Sequence, residues 1–562
     1  MYCIEFILFL ITSYAKLIII PNEIYNNGDI VDKRNDAIYE KLSSDRYTPF
    51  SLAFKLGAKA ILESASFSHG KERYSILMVE EAFKIFQDKS GVWFIINGEK
   101  KPANLNVDSA ESMADSATKA ESTESTTESR ADSKDYKNSP DILDILSYIA
   151  AQNKRANNNI PLPASGIGYL GYEFCAKCDT IVLETQTDSL EIPESIFIVG
   201  HIYIIFDHFS EELHIFGLNY NEHEIDLNKA IERLKKRIND LDFSYLQIPV
   251  AQDSGSQIAQ IPASQDSSYP VDFKILTDIK ESKSEFIAQV LHLKECITNG
   301  DLLQAVPSRR LQIQCEIDAL EAYRRLRLSN PSPYLFYINF GDFEIVGASP
   351  ESLVRVRGGN ATIRPIAGTR RRGKNDAEDE RLKLELLSDE KEKAEHLMLV
   401  DLARNDLGKV CEIGSVEVVS FMQCEVFSHV IHLVSQVNGK VKKDISSMQV
   451  LRSSFPAGTV SGAPKIRAIE LLSSIEKTKR NFYAGAIGYV DIEGGLDFCI
   501  AIRCALRQEN IWNLQAGAGI VYDSIPEREW EETNEKLNSM ISVLTQALNP
   551  ANALANTMGE IK

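Results

Sequence analysis

The chain has 562 residues, 44% hydrophobic and 25% charged, an ordinary globular composition with room for about two to four domains or one large α/β body with insertions. A net charge of −19 argues against nucleic acid and anionic membrane surfaces as partners, so an anionic substrate would need positive potential built locally. Nine cysteines with no disulfide framework fit a reducing compartment, and a cytoplasmic location is expected.

The first 20 residues, MYCIEFILFLITSYAKLIII, are apolar but lack a basic leader region and a cleavage site. Lys16 cuts the apolar run below the ~20 residues that a spanning helix needs. The expectation is an apolar extension over 1–16 and then a strand entering the fold, with a membrane anchor as the alternative. An N-terminal region follows over 17–250, with strand-like runs at 92–98 and 195–207 and a helix over 226–241. Residues 106–140, rich in Ser, Thr, Glu and Ala, cannot bury a core and read as a disordered insertion. Cys175 and Cys178 form a single C-x-x-C without the second pair a zinc ribbon requires, which favours a structural role. A linker over 251–272 leads to a second region, 273–548, and a tail, 549–562. That region carries predicted helices over 285–300 and 379–408, and strands over 332–340 and 497–507. The pattern is α/β with mixed or antiparallel sheets.

Four glutamates stand out. Glu392 and Glu395 form one i, i+3 pair and Glu529 and Glu532 another, each on one face of a predicted helix. Either these are solvated helix faces, or the two faces meet in a cleft and share a cation. Four hard oxygen ligands of this kind suit Mg²⁺. Lys536, four residues after Glu532, shares its face, as an ordinary ion pair or as part of the same cleft. Gly368 in PIAGTRRRG lets backbone approach a ligand, and Thr369 can donate to a carboxylate. In DFCIAIRCALR, alternation puts Arg503 among small neighbours, as a carboxylate clamp or a buried ion pair. Gly517, Ala518 and Gly519 end a strand, where small residues either expose amides to an anion or pack closely.

Seven blocks in order, GASPESLVR, PIAGTRRRG, DEKEKAEHLMLVDLARNDLG, FSHVIHLVSQV, FPAGTVSGAPKIRAIE, NFYAGAIGY and GAGIVYDSIPEREWEETNEK, resemble the chorismate-utilising enzymes over about half the chain. AILESAS, ERYSILM and GIGYLGYE look like the N-terminal portion of anthranilate synthase component I. The resemblance implies the chorismate-binding fold, two antiparallel-rich sheets packed together with helices outside. It further implies Mg²⁺ held by Glu395 and Glu532, with Glu392 and Glu529 acting through water. Arg503, Tyr483, Thr369, Gly368 and the Gly517–Gly519 backbone would hold chorismate. Glu351 would be the general acid, His432 would assist elimination, and Lys536 would neutralise charge beside the metal. A tryptophan-inhibition site would use Ser64, Pro333, Tyr334 and Leu335.

Members of the family that activate water do so with a Lys, and Gln304 stands at that position here. Aminodeoxychorismate synthases carry a nucleophilic Lys where this chain has Ala367. Free ammonia is therefore the expected nucleophile, as in anthranilate synthase. No G-x-C-x-G elbow occurs, so ammonia would come from a separate glutamine amidotransferase subunit. The alternatives are an aminodeoxychorismate synthase attacked directly by ammonia, and an inactive regulatory homologue.

Overall fold

Apolar periodicity sets the strands. In Gly91–Ile96 alternate residues are buried, so one face meets the core. Ser195–Asp207 is buried at every position, as its unbroken apolar sequence requires of a strand covered on both faces. The computed structural model describes residues 23–545 except 27–28, 33–34, 67–69, 72, 104–139, 155–159, 185, 242–272 and 427–429. The expected extension (1–16), nearly all of the insertion (106–140), the linker (251–272) and the tail (549–562) lie outside the described residues.

The strands form two antiparallel sheets that share two long members, Tyr74–Asp88 and Ser195–Asp207. These two pair along their whole length, with register shifts around Gly200. Beyond that point their ends belong to different sheets. From the 195–198 end, the first sheet continues through Ile167–Leu170, Ala486–Val490, Leu496–Ile500, Ser352–Arg357 and Asn360–Ile363 to Val430–Lys440. Ile366–Arg371 and Glu417–Val426 both pair with that last strand. From the 74–78 end, the second sheet continues through Ala60–Glu63, Tyr334–Asn339, Glu344–Ser349, Cys504–Gln508, Ile511–Gly517 and Ser308–Cys315. Strands from either side of the 251–272 segment thus pair within both sheets.

Alternation along Tyr334–Asn339 separates two cores. Phe336 and Ile338 pack with Ile487 and Phe498 of the first sheet. Leu335 and Tyr337 face the opposite way, toward a cluster built with Pro49–Leu56, Leu227–Asn239, Ile279–Thr298, Ala319–Ser329 and Pro526–Thr545. No helix among the described residues is long and apolar enough to cross a membrane.

Two sequence expectations need correction. The stretch 379–408 is not one helix. Asp389 ends Asp376–Ser388 and caps Glu390–Val410, its carboxylate accepting from the Lys391 and Glu392 amides. Nor is 497–507 one strand. Leu496–Ile500 belongs to the first sheet and Cys504–Gln508 to the second, with Arg503 at φ +53 between them. A kink, rather than alternation, aims Arg503.

Candidate active site

The same crossing happens twice. After Glu344–Ser349 in the second sheet, the chain passes through Pro350 and Glu351 into Ser352–Arg357 of the first. The two crossings bond to each other at a seam between the sheets. Ser349 Oγ donates to Ile500 O at 2.7 Å, Ile500 N donates to Glu351 O at 3.0 Å, and Ala348 N donates to Arg503 O at 3.1 Å. The backbone links that carry Glu351 and Arg503, far apart in sequence, are tied to each other in this way.

Glu351 is 8% exposed, and burial pushes its carboxyl up to about 8, with the Thr459 hydroxyl and the Lys536 ammonium acting against that. At neutral pH it holds a proton and can give it away. Burial lowers Arg503, opposed by Tyr483 and Glu532, and its Nη1 donates to Lys536 O at 3.1 Å. No carboxylate among the described residues lies within ion-pair distance of Arg503, which favours the clamp over the buried pair. Tyr483 is buried, which pushes its hydroxyl up to about 12 and keeps it a neutral donor.

Thr369 and His432 face each other across neighbouring strands, next to a register shift between Ala367 and Thr369. His432 Nδ1 lies 3.0 Å from Gly368 O and 3.1 Å from Thr369 Oγ1. A carbonyl can only accept, so Nδ1 carries the proton and Nε2 keeps its lone pair. Thr369 can share that proton as acceptor and keep its own for a ligand oxygen. Burial lowers the His432 pKa, with Gly368 O acting against it and Arg503 reinforcing it, so the ring is neutral. Gly368 adopts φ +65, and a Cβ there would lie 3.2 Å from Glu392 Oε2. That places the first glutamate helix directly against the Thr369 strand.

Glu392 and Glu529 lie in the first turns of Glu390–Val410 and Pro526–Thr545. The two helices face one another. Glu395 is raised by burial and then by the charges of Glu392, Glu532 and Glu529, with Lys391 opposing. Glu529 is raised by burial and by Glu532, while Ser524, Lys391 and Lys536 act against it. Cations already neutralise part of this cluster. Lys536 Nζ is 2.7 Å from Glu532 Oε1, Arg370 Nη1 is 3.2 Å from Glu392 Oε1, and Lys391 Nζ is 3.8 Å from Glu395 Oε1. Among the described residues no three acid, His or Cys side chains converge closely enough to hold an ion as they stand. The donor set, carboxylate oxygens on two helices with Lys536 and Arg370 standing in as countercharges, has the chemistry that a hard divalent cation takes.

Gly517 ends the strand beside this helix and Gly519 lies just past it, but the amides are not all presented to a ligand. Ala518 N donates to Pro307 O at 3.2 Å, and Gly517 O accepts from Lys536 Nζ at 2.7 Å. A Cβ on Gly519 would lie 2.9 Å from Gln304 Nε2, so Gln304 reaches this strand end. The sequence reading missed Arg370 and Thr459. The run of arginines after Thr369 was the available signal for the first. Thr459, inside GTVSG, carried none beyond the block it sits in.

Ser64, Pro333, Tyr334 and Leu335 line one cavity of about 1380 Å³ whose walls come from both sheets and reach Pro350 and Ser352, the neighbours of Glu351. The glutamate pairs do not line it. The Ser64 hydroxyl is buried without a hydrogen-bond partner among the described residues, and Tyr334 OH donates to Asp497 Oδ1 at 2.9 Å. Glu63, next to Ser64, accepts from Tyr323 OH at 2.6 Å and Arg327 Nη2 at 3.0 Å.

Residues 102–542 match the model of the chorismate binding enzyme family. The chain belongs to that family. Among chorismate binding enzymes it is 45% identical to anthranilate synthase component 1 of Spirochaeta aurantia, over 90% of this chain and 94% of that one. It is 41% identical to the same component of Bacillus subtilis (strain 168), covering 68% and 74% of the two chains. The crystal structure of anthranilate synthase component I from Streptococcus pneumoniae TIGR4 aligns with a TM-score of 0.65 and 34% identity, over 83% of this chain and 92% of that one. The menaquinone-specific isochorismate synthase of Escherichia coli shares the fold, with a TM-score of 0.58 at 16% identity, over 91% and 96% of the two chains. This chorismate binding enzyme thus has the two-sheet fold expected from its sequence.

Proposed function

We propose that the chain is the synthase subunit of anthranilate synthase. It would convert chorismate and ammonia to anthranilate, pyruvate and water, the first committed step toward tryptophan. The observation that carries this reading is the buried, protonated Glu351 at the seam, in a chain that also pairs His432 with Thr369 and clusters the glutamates of two helices. Gln304 and Ala367 narrow it, because neither can serve as the basic or nucleophilic Lys of the water-using and aminodeoxychorismate-forming relatives. The similarity to proteins named anthranilate synthase component 1 supports the same choice.

Arg503, Tyr483 and Thr369 bind the anionic groups of chorismate. Glu395 and Glu532, with Glu392 and Glu529 behind them, would hold Mg²⁺, which would supply positive charge to the ring carboxylate. Lys536 balances the remaining carboxylate charge. Glu351 passes its proton to the C4 hydroxyl, which departs as water while the nitrogen of ammonia bonds to C2. The ring rearranges its double bonds as the C4–O bond breaks, and the new ammonium sheds a proton. The C3–O bond then breaks, the C2 hydrogen is lost, and the enolpyruvyl group leaves as pyruvate. His432, neutral and with Nε2 unprotonated, orients this elimination and can receive the proton. Ammonia comes from a separate glutamine amidotransferase subunit. Tryptophan inhibits by binding in the cavity of Ser64, Pro333, Tyr334 and Leu335, where the unpartnered Ser64 hydroxyl supports a polar ligand.

The test uses the purified chain with chorismate, Mg²⁺ and an ammonium salt, followed by anthranilate fluorescence. Anthranilate that requires Mg²⁺, and does not form with glutamine as sole nitrogen donor, is the expected result. A para-aminated product, or none, would overturn it.

A further inference from the structure

The helix Pro526–Thr545 has two faces. Glu529, Glu532 and Lys536 share one. Trp530, Thr533 and Leu537 share the other and are 1%, 0% and 2% exposed. Arg309, 6% exposed, reaches this buried face from the strand Ser308–Cys315. Its guanidinium carbon lies 3.8 Å from the centre of the Trp530 ring. Its Nε donates to Thr533 Oγ1 at 2.7 Å, and its Nη2 donates to the Asn534 side-chain oxygen. Thr533 Oγ1 donates in turn to Trp530 O at 2.7 Å. One side chain therefore grips the residues that follow Glu529 and Glu532 directly.

The other end of the grip is anchored in the same site. Arg309 pairs in register with Ala516, and the adjacent pair is Ser308 with Gly517, whose carbonyl accepts from Lys536. Arginine is an expensive way to fill buried space. Its partners here are neutral, and Glu531 is the carboxylate whose charge reaches it. A Met or Leu of similar volume would pack without desolvating a charge. What an apolar side chain lacks is a planar fork. A fork that stacks on one ring and bonds to two positions fixes the helix in rotation as well as in distance.

We propose that Arg309 is a positioning residue for the glutamate cleft, setting the rotation of this helix so that Glu529 and Glu532 meet Glu392 and Glu395. The proposal rests on the Mg²⁺ reading above. The probe is Mn²⁺, whose binding to the full-length chain is read by electron paramagnetic resonance without turnover, alongside kcat and the KM for Mg²⁺. Groups that orient metal ligands from behind are worth roughly 10- to 100-fold in metal affinity. Arg309→Met should weaken Mn²⁺ binding by at least about tenfold and raise the Mg²⁺ KM, with a smaller change in the chorismate KM. Arg309→Lys, which keeps the charge but not the fork, should recover little. Thr533→Val should act in the same direction and add little to Arg309→Met, because both remove one linkage.

A folded Arg309→Met protein that binds Mn²⁺ as tightly as the wild type overturns the proposal. Should Arg309→Met not fold, Thr533→Val carries the test alone, and unchanged Mn²⁺ affinity in that variant overturns it. A wild type that binds no Mn²⁺ removes the metal reading instead. Hydrogen exchange across 526–536 then tests the grip, and unchanged protection in Arg309→Met refutes it.

Discussion

Glu351→Gln keeps the shape of the acid at the seam and removes its ionisation. Burial holds the wild-type carboxyl at about 8 against 4.5 in the unfolded chain. Below 4.5 both states carry the proton. Between 4.5 and about 8 the unfolded chain releases it and the folded chain keeps it, so stability falls as pH rises. The slope is about 1.36 kcal/mol per pH unit, which reaches about 3 kcal/mol at pH 7 and levels off near 5 kcal/mol above pH 8. Glutamine has no such slope. Constant differences between acid and amide drop out when the two proteins are compared across pH. Urea unfolding at pH 5, 7 and 8.5 should therefore show the variant gaining on the wild type by about 4 kcal/mol over the series. Its ammonia-dependent activity should fall by about 10²- to 10⁴-fold, the usual worth of a general acid. The wild-type rate should decline above about pH 8 as the acid is lost. Stability curves that run parallel for the two proteins would refute the assignment of a buried, protonated Glu351.

Three further outcomes can be checked independently. His432→Asn should cut anthranilate formation by about 10²- to 10⁴-fold and let an aminated intermediate that still carries its enolpyruvyl group accumulate, as chromatography of the quenched reaction would reveal. Gly368→Ala forces a side chain into φ +65 against Glu392, and thermal unfolding should report a loss of about 1–2 kcal/mol together with weaker Mg²⁺ dependence. Ser64→Ala should raise the tryptophan concentration for half-inhibition by about 2- to 10-fold, one hydrogen bond's worth, without changing kcat in its absence.

The parts of the site visible in sequence were those whose chemistry is local. An i, i+3 pair on a helix needs no knowledge of the fold, so Glu392 with Glu395 and Glu529 with Glu532 could be read directly. The break at Asp389 was legible too, since Asp followed three residues later by Glu is a helix-start pattern, but apolar periodicity on both sides hid it. The alternation that singled out Arg503 does not hold. Alternation assumes one continuous strand, and nothing local in IAIRCAL says that the chain changes sheets there. The raised Glu351 could not be read at all, because burial by distant strands causes it. Arg309 carried no signal in the sequence. Its meaning comes from Trp530 and Thr533, more than two hundred residues later.

The double crossing at the seam also makes the candidate site a mechanical focus. Each link between the sheets there is a few residues long and cannot stretch, and the two links are tied by three hydrogen bonds. When one sheet slides over the other, distant side chains can repack to absorb the shear, whereas the links must turn. Strain between the sheets is therefore taken up first at Pro350–Glu351 and at the turn that holds Arg503. The short backbone links that carry Glu351 and Arg503 are thus also the points at which the two sheets are pinned to each other.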